Sequence, residues 1–206
     1  MSSGYKSARE HLEDELTLVS KLVERQINAH WEAGILPRIK DEFSGTFVSG
    51  GEVKSLLKGG QKASDSGTTK LEKLDQQIGT MAKSIEAKLA VNRKAGLPLP
   101  FDQLRSSFGL TPTEQRALWV LLAIEVSAHL RQLMRYLVNE ASRIHADVGL
   151  MEILVYSSEQ TRDRMIIERA PDGRLFKHRL LEFIGTQRQI EEAPFLLRPL
   201  KVATRV

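Results

Sequence analysis

The stretch from Thr111 to Glu125, TPTEQRALWVLLAIE, constrains the fold of this chain more than any other. Thr111 is a residue type that caps helices, and Pro112 suits the first helical position because no N–H is needed there. Glu114 can complete a capping box by reaching back to the Thr111 backbone. The residues that follow are apolar on nearly every side, so the stretch predicts a helix at the hydrophobic centre of a helical domain.

Three further capping boxes open apolar segments earlier in the chain: Ser7 with Glu10, Ser49 with Glu52, and Thr69 with Glu72. They predict helices at about 8–33, 50–58 and 70–95, with Gly34 as the C-cap of the first. The third helix repeats apolar residues at spacings of three and four, the pattern of a coiled-coil seam. The seam residues are Leu71, Leu74, Ile78, Met81 and Ile85.

This seam requires a partner, because burying five aliphatic side chains gains on the order of 10 kcal/mol before chain entropy is subtracted. The first predicted helix has a similar length and period. An antiparallel helical hairpin within the chain is therefore one interpretation, and self-association into a homo-oligomer through the same seam is the other. Residues 59–67, GGQKASDSG, are poor in apolar side chains and are interpreted as a flexible loop.

The LPLP stretch from Leu97 to Pro100 cannot continue a helix and marks a domain boundary. Residues 1–95 are interpreted as a helical lead-in and residues 96–206 as a second domain. Short helices are expected in the second domain at 101–108, at 112–124, through Leu130, Leu133, Met134 and Leu137, and at 148–156.

The C-terminal part changes character. APDG at 170–173 is a turn signal, and PFLLRPLKVATRV at 194–206 has an extended character. The predicted fold class is mostly α, with α+β character at the C-terminus. Helices followed by a turn and a small β wing are the order of a winged-helix-like domain.

Positive charge is concentrated near the C-terminus. Residues 160–206 hold ten lysines and arginines against six acidic residues, which accounts for the whole net charge of +4. Such a segment can attract acidic proteins or nucleic acid, but the acidic residues between the cations favour a plain solvated surface. The candidate contact residues are the cations Arg174, Lys177, Arg179 and Arg198, and the apolar residues Leu56 and Leu57 together with the seam.

The sequence carries no recognisable catalytic or ligand-binding motif. It has no cysteine, which excludes disulfides and thiolate metal sites. It contains neither a G-x-x-x-x-G-K-[ST] phosphate loop nor an H-E-x-x-H metal motif. The longest apolar run, 117–124, is too short to span a membrane, and the N-terminus does not resemble a signal peptide. We therefore expect a cytoplasmic protein that is not an enzyme, with no cofactor, metal or membrane partner.

Four blocks of the sequence resemble the region that precedes the ATPase module in certain bacterial AAA+ ATPases, including those associated with contractile injection systems. The blocks are FSGTFVSGGEVKSLL (43–57), FGLTPTEQRALWVLLAIEV (108–126), GRLFKHRLLEF (173–183) and PFLLRPLKV (194–202). The resemblance implies a non-catalytic adaptor that recruits or orients a protein substrate, or contacts its own ATPase module. ATP and Mg²⁺ would then bind only in a following ATPase module.

Two other functions fit the residues. The first is a winged-helix DNA-binding module, with 131–143 as the recognition helix because it carries Arg131, Gln132, Arg135, Asn139 and Arg143. Apolar residues at core spacing and the modest net charge weaken that interpretation. The second is a coiled-coil oligomerisation module built on the seam.

Overall fold

The structure, a computed structural model, describes residues 3–33, 35–36, 67–138, 145–157, 159–170 and 172–204, with the backbone alone of 67–69, 159 and 160. The chain divides into two compact units. Unit 1 is Met1–Ser107 with Arg135–Ala141, and unit 2 is Phe108–Met134 with Ser142–Val206. The sequence-based boundary between residues 95 and 96 stays a prediction. The predicted helix at 50–58, with Leu56 and Leu57, the Ser49–Glu52 capping box, Gly34 and most of the predicted loop lie outside the described residues.

Unit 1 contains three described helices: α1 (Ala8–Glu32), α2 (Gly67–Lys94) and α3 (Pro100–Phe108). Ser7 caps α1 as predicted, since its hydroxyl accepts the Glu10 N–H at 3.2 Å. The other hydrogen bond of the predicted capping box, from the Ser7 N–H to the Glu10 carboxylate, is wrong. The Glu10 carboxylate accepts the Lys6 N–H instead. The predicted start of α2 is also wrong: the helix begins at Gly67, so Thr69 lies inside it and is not its N-cap.

Helices α1 and α2 pack against each other as an antiparallel pair. Two ion pairs fix the direction: Asp14 with Lys88 at 2.7 Å, and Arg25 with Asp75 at 3.0 Å. The core between the helices includes Leu18. Other members of the core are Tyr5, Ile85, Leu89 and Leu99, with Ile78, Met81 and Ala82 packed against them. The intramolecular hairpin expected from the two apolar stripes is therefore present.

Unit 2 starts with α4 (Pro112–Val126), the helix that the sequence placed at the centre of a core. Its capping box is complete, because Glu114 N donates to Thr111 Oγ1 and Thr111 N donates to the Glu114 carboxylate. Leu118, Trp119 and Val120 are at most 1% exposed. The other helices with residues in unit 2 are α5 (Ala128–Leu137), α6 (Val148–Leu154), α7 (Glu159–Glu168), α8 (Arg174–Lys177), α9 (Gln187–Glu192) and a 3₁₀ turn at Phe195–Leu197.

Unit 2 also contains a small sheet of three strands, β1 (Ala146–Asp147), β2 (Leu181–Phe183) and β3 (Pro199–Val202). The strand order is β1-β3-β2, and both pairings are antiparallel. Helix α4 packs against β3 and α6, so the apolar helix and the sheet share one core. This mostly helical architecture with a small C-terminal β wing confirms the predicted fold class.

The sequence patterns missed several elements of unit 2, namely β1, α7, α8 and α9. The segment 194–206, expected to be extended, contains the 3₁₀ turn before β3. Within the described residues, no single helix has the length and apolarity to cross a membrane, although α4 and α5, bent by 114° at their break, meet the length and composition test jointly.

Candidate binding face

Helices α6 and α7 are joined by the four residues 155–158, the connection length of a helix-turn-helix. The start of α6 is fixed by Asp147, whose side chain accepts the Leu150 N–H at 2.8 Å. The Val148 N–H donates to the carbonyl of Arg198 beside β3, which holds the same end against the sheet. In a helix-turn-helix the second helix makes the recognition contacts. Helix α7 therefore takes the recognition position of this domain.

The last turn of α7 is anchored from the inside by Glu168, which is 6% exposed. One carboxylate oxygen accepts the hydroxyls of Thr111 and Thr113, both at 2.7 Å. The other accepts the Tyr156 hydroxyl, also at 2.7 Å. The carboxylate thus joins the start of α4, the α6–α7 connection and the end of α7. Three hydroxyl donors offset the cost of burying this charge.

Arg169 follows Glu168 and is 1% exposed. Its guanidinium carbon lies 5.3 Å from the centre of the Tyr156 ring. Burial lowers the pKa of Arg169, while Tyr156 and the carboxylates of Glu168 and Glu114 act in the opposite direction. Burial also raises the pKa of Tyr156; the charge of Arg169 opposes that shift and the hydrogen bond to Glu168 adds to it. The inner side of α7 is therefore a buried polar cluster in which the Glu168 carboxylate accepts three hydroxyls.

The outer side of α7 is exposed and partly apolar. Ile166 is 71% exposed and Ile167 is 73% exposed, although both belong to a residue type that is usually buried. Arg162, Asp163 and Arg164 are exposed on the preceding turn. Residues 172–179 are called the α8 region, and the candidate binding face is defined as the exposed side chains of α7 and of the α8 region. The face combines an apolar pair with a surrounding of mixed charge.

The α8 region lies directly against the end of α7. A Cβ built on Gly173 would stand 2.6 Å from the carbonyl oxygen of Glu168, so only glycine fits this approach. The Arg174 guanidinium lies 3.3 Å from the Glu114 carboxylate, while Lys177 and Arg179 are exposed. Arg179 has a φ of 52°, a left-handed conformation that is uncommon for a residue with a side chain. The fold thus brings Gly173, the residue before Arg174, against the backbone at the end of α7.

The fourth predicted cation, Arg198, has a structural role in the connection between β2 and β3. Its Nε donates to the carbonyl of Ala193, and its guanidinium lies 5.8 Å from the centre of the Phe195 ring. The same connection exposes apolar side chains, since Leu196 is 41% and Leu197 is 49% exposed. Arg198 therefore shapes this wing and is separate in sequence from the other three cations.

The predicted seam residues lie along α2 in unit 1. Leu74 and Ile85 are 4% exposed, and Leu71, Ile78 and Met81 are half-buried. Most of the seam is thus used by the helical hairpin. Binding of a further partner through the seam, including a second copy of this chain, stays a prediction.

The role of the segment 131–143 as a DNA-recognition helix stays a prediction. The described part of this segment belongs to α5, which precedes β1, and the side chains of Leu130, Leu133 and Met134 are at most 3% exposed. Arg131 donates to the backbone carbonyls of Ile124 and Glu125, so it caps the preceding helix. Asn139 and Arg143 lie outside the described residues. Helix α7, the second helix of the α6–α7 pair, was not predicted from the sequence because its apolar residues are adjacent and largely exposed.

Among the residues that the structure describes, no group of three or more His, Asp or Glu side chains is arranged to hold a metal ion. A groove of about 460 Å³ runs along the hairpin of unit 1. It is lined by Asp14, Lys73, Gln76, Gln77, Thr80, Met81, Ser84 and Lys88. The Asp14 carboxylate in it is already bound by Lys88 and by the Tyr5 hydroxyl.

Comparison with known proteins agrees with this geometry. The family model of the winged helix domain, variant, matches residues 1–206, which is the whole chain. Comparisons with curated proteins and with solved structures gave no significant match. A winged helix domain is a module for binding DNA or protein. The order of helices and strands around α7 and the match over the full length show that this chain belongs to the winged helix domain variant family.

Proposed function

We propose that this chain is a non-catalytic protein-binding module, and that α7 with the α8 region is its binding face. The observation that carries the proposal is the exposure of Ile166 and Ile167 on the helix in the recognition position. Transfer of such side chains from water into an interface contributes about 1.5 to 3 kcal/mol for each one that becomes fully buried. Two adjacent isoleucines exposed on one helix form an apolar patch, and such patches mark interaction sites when they are large enough.

DNA is the less favoured partner for this face. A DNA-reading helix presents hydrogen-bond donors and acceptors to base edges, and affinity comes mainly from cations on phosphates. Here Asp163 stands between Arg162 and Arg164, and the last exposed turn is apolar. The net charge of the whole chain is only +4. These features favour a protein surface with apolar residues over a phosphate backbone.

The finer proposal concerns the system in which this module works. The resemblance to the region before the ATPase module of bacterial AAA+ ATPases supports a role as an adaptor that recruits or orients a protein substrate, such as a contractile injection system component. The absence of a phosphate loop from the 206 residues supports a module without its own ATPase activity. ATP and Mg²⁺ would act in a following ATPase module.

Site-specific photo-crosslinking tests both the proposed binding face and the proposed adaptor role. A photoreactive amino acid replaces Ile166 in the full gene product, which is expressed in its source cells. A matched control variant carries it at Arg188, whose side chain is 85% exposed on α9. We expect a crosslinked adduct at position 166 that protease removes and nuclease does not, and none at position 188. Mass spectrometry of the adduct is expected to identify a protein that copurifies with an AAA+ ATPase.

Each of the other possible crosslinking results would contradict a specific part of the proposed function. An adduct removed by nuclease would assign the face to nucleic acid. Equal adducts at the two positions, or none at position 166, would refute the binding face. A specific protein adduct that never copurifies with an ATPase would leave a protein-binding module but refute the adaptor role.

A further inference from the structure

We propose that the segment bound by this face is an acidic, amphipathic stretch of protein, with apolar side chains against Ile166 and Ile167 and carboxylates against the arginines and lysine around them. This inference rests on the proposed function, because it names the chemistry of the partner that the same face binds. It is carried by the charge of the exposed side chains and by their positions relative to the apolar pair.

Among the described side chains of the face, exposed cations outnumber exposed acids. Its described side chains include five exposed cations: Arg162, Arg164, Arg174, Lys177 and Arg179. They are opposed by two exposed acids, Asp163 and Asp172. Arg174 is paired with Glu114, and in the described parts of the chain the other four cations have no carboxylate at ion-pair distance. The face therefore has positive charge available for an acidic partner.

The helix spacing places an arginine beside each isoleucine, and it also places the exposed Asp163, three and four residues earlier, beside both of them. Residues three or four apart on a helix are neighbours on its surface. Ile166 is four residues after Arg162, and Ile167 is three residues after Arg164. Beyond the isoleucines, the close approach of Gly173 to the Glu168 carbonyl brings the start of the α8 region to the same end of α7. The apolar pair thus has cations on both sides along the chain.

A peptide that fills this face needs apolar residues flanked by carboxylates. An amphipathic helix with aspartate or glutamate beside leucine or isoleucine satisfies both requirements, and helices commonly bind through such anchors. Carboxylate–arginine pairs at the rim would mainly steer association and set specificity, while the isoleucine contacts would control dissociation. Affinity for the peptide should therefore fall as the salt concentration rises. Replacing the two isoleucines should nevertheless reduce the affinity more than removing the charges of the arginines.

The test uses a display library of random peptides, each several helical turns long, selected against the full chain. We expect the enriched peptides to combine acidic and large apolar residues. Fluorescence anisotropy of one enriched peptide should show at least about tenfold weaker binding to Ile166→Asp/Ile167→Asp. The Arg162→Ala/Arg164→Ala variant should bind about three- to tenfold more weakly at low salt. Arg188→Ala should bind like the parent, and circular dichroism checks that every variant is folded.

A charge exchange makes the test specific. An Arg162→Glu/Arg164→Glu variant should lose the acidic peptide and gain affinity for the same peptide with its acidic residues replaced by lysine. Enriched peptides without acidic residues that still depend on Ile166 and Ile167 would overturn this inference and leave the proposed function intact. The inference would also be overturned if no peptide is enriched, or if an enriched acidic peptide binds every α7 variant with the affinity of the parent. Displacement of the peptide by random duplex DNA would assign the cations to nucleic acid.

Discussion

The hydroxyl of Tyr156 donates a 2.7 Å hydrogen bond to the carboxylate of Glu168, which links the α6–α7 connection to the end of α7. Both residues are buried, and two threonine hydroxyls from the start of α4 meet the same carboxylate. The outward position of Ile166 and Ile167 follows from this arrangement. Because the polar residues of the last turn are held inside, the neighbouring apolar residues face solvent.

Tyr156→Phe should lower the free energy of unfolding by about 1.5 to 3 kcal/mol, the range for a hydrogen bond to a charged group. The carboxylate keeps its two threonine donors, so the domain should still fold. Urea unfolding of Tyr156→Phe, Glu168→Gln and the double variant forms a double-mutant cycle. We expect a coupling energy of about 1 kcal/mol or more between the two sites. Additive effects would show that the hydrogen bond contributes nothing to stability.

Thr111→Ala should destabilise the protein more than Thr186→Ala, although both threonines complete capping boxes. Loss of an N-cap costs about 1 kcal/mol. Thr111 also donates to buried Glu168 at 2.7 Å, whereas the cap of Thr186 is exposed and its hydroxyl contacts only Gln189 among the described residues. Thermal unfolding of the two variants measures the difference. Equal losses would mean that the Glu168 contact of Thr111 adds nothing.

Gly173→Ala should destabilise unit 2, because its Cβ would lie 2.6 Å from the Glu168 carbonyl oxygen and 2.9 Å from that of Ala170. Both obstacles are backbone atoms, so the chain itself must shift, and we expect a cost of about 1 to 3 kcal/mol. Gly79→Ala in α2 is the matched control. A Cβ there meets nothing within 4 Å, and alanine should stabilise the helix by about 0.5 to 1 kcal/mol. Chemical unfolding should therefore show opposite signs for the two substitutions.

The stability of unit 1 should decrease as the pH falls, partly through His30. Burial lowers the pKa of this imidazole in the folded chain. The unfolded chain takes up the proton near pH 6.5, the ordinary histidine value, and the folded chain resists it. The contribution of neutral His30 is therefore complete above about pH 6.5 and is lost as the pH falls towards the lowered folded pKa.

His30→Gln should reduce this pH dependence. The measurement is the free energy of unfolding by urea at pH 7.5 and pH 5.5 for the parent and the variant. We expect the parent to lose more stability than His30→Gln between the two conditions. An identical loss in both proteins would contradict a role for His30.

Local sequence patterns predicted the structure correctly where a feature depends only on residues within about one helical turn. The complete capping box of Thr111 and Glu114 is confirmed, and so is the cap at Ser7, because a cap depends on residues within one turn. Apolar spacing along α1 and α2 likewise predicted a pair of long helices. The mistaken start of α2 at Thr69 shows the limit of the same logic, since a threonine followed by an acid three residues later also occurs inside a helix.

Sequence alone determined that this chain is mostly helical, has an apolar helix at the centre of a core and carries its surplus positive charge near the C-terminus. Only the tertiary structure decided that α7 follows α6 as the second helix of a pair, that Glu168 is buried and that Ile166 and Ile167 are exposed. The physical reason is that burial of a carboxylate depends on hydroxyls from Thr111, Thr113 and Tyr156, which are distant in sequence. Three adjacent residues, Met165, Ile166 and Ile167, show no helical period, and packing alone decides which of them faces the core.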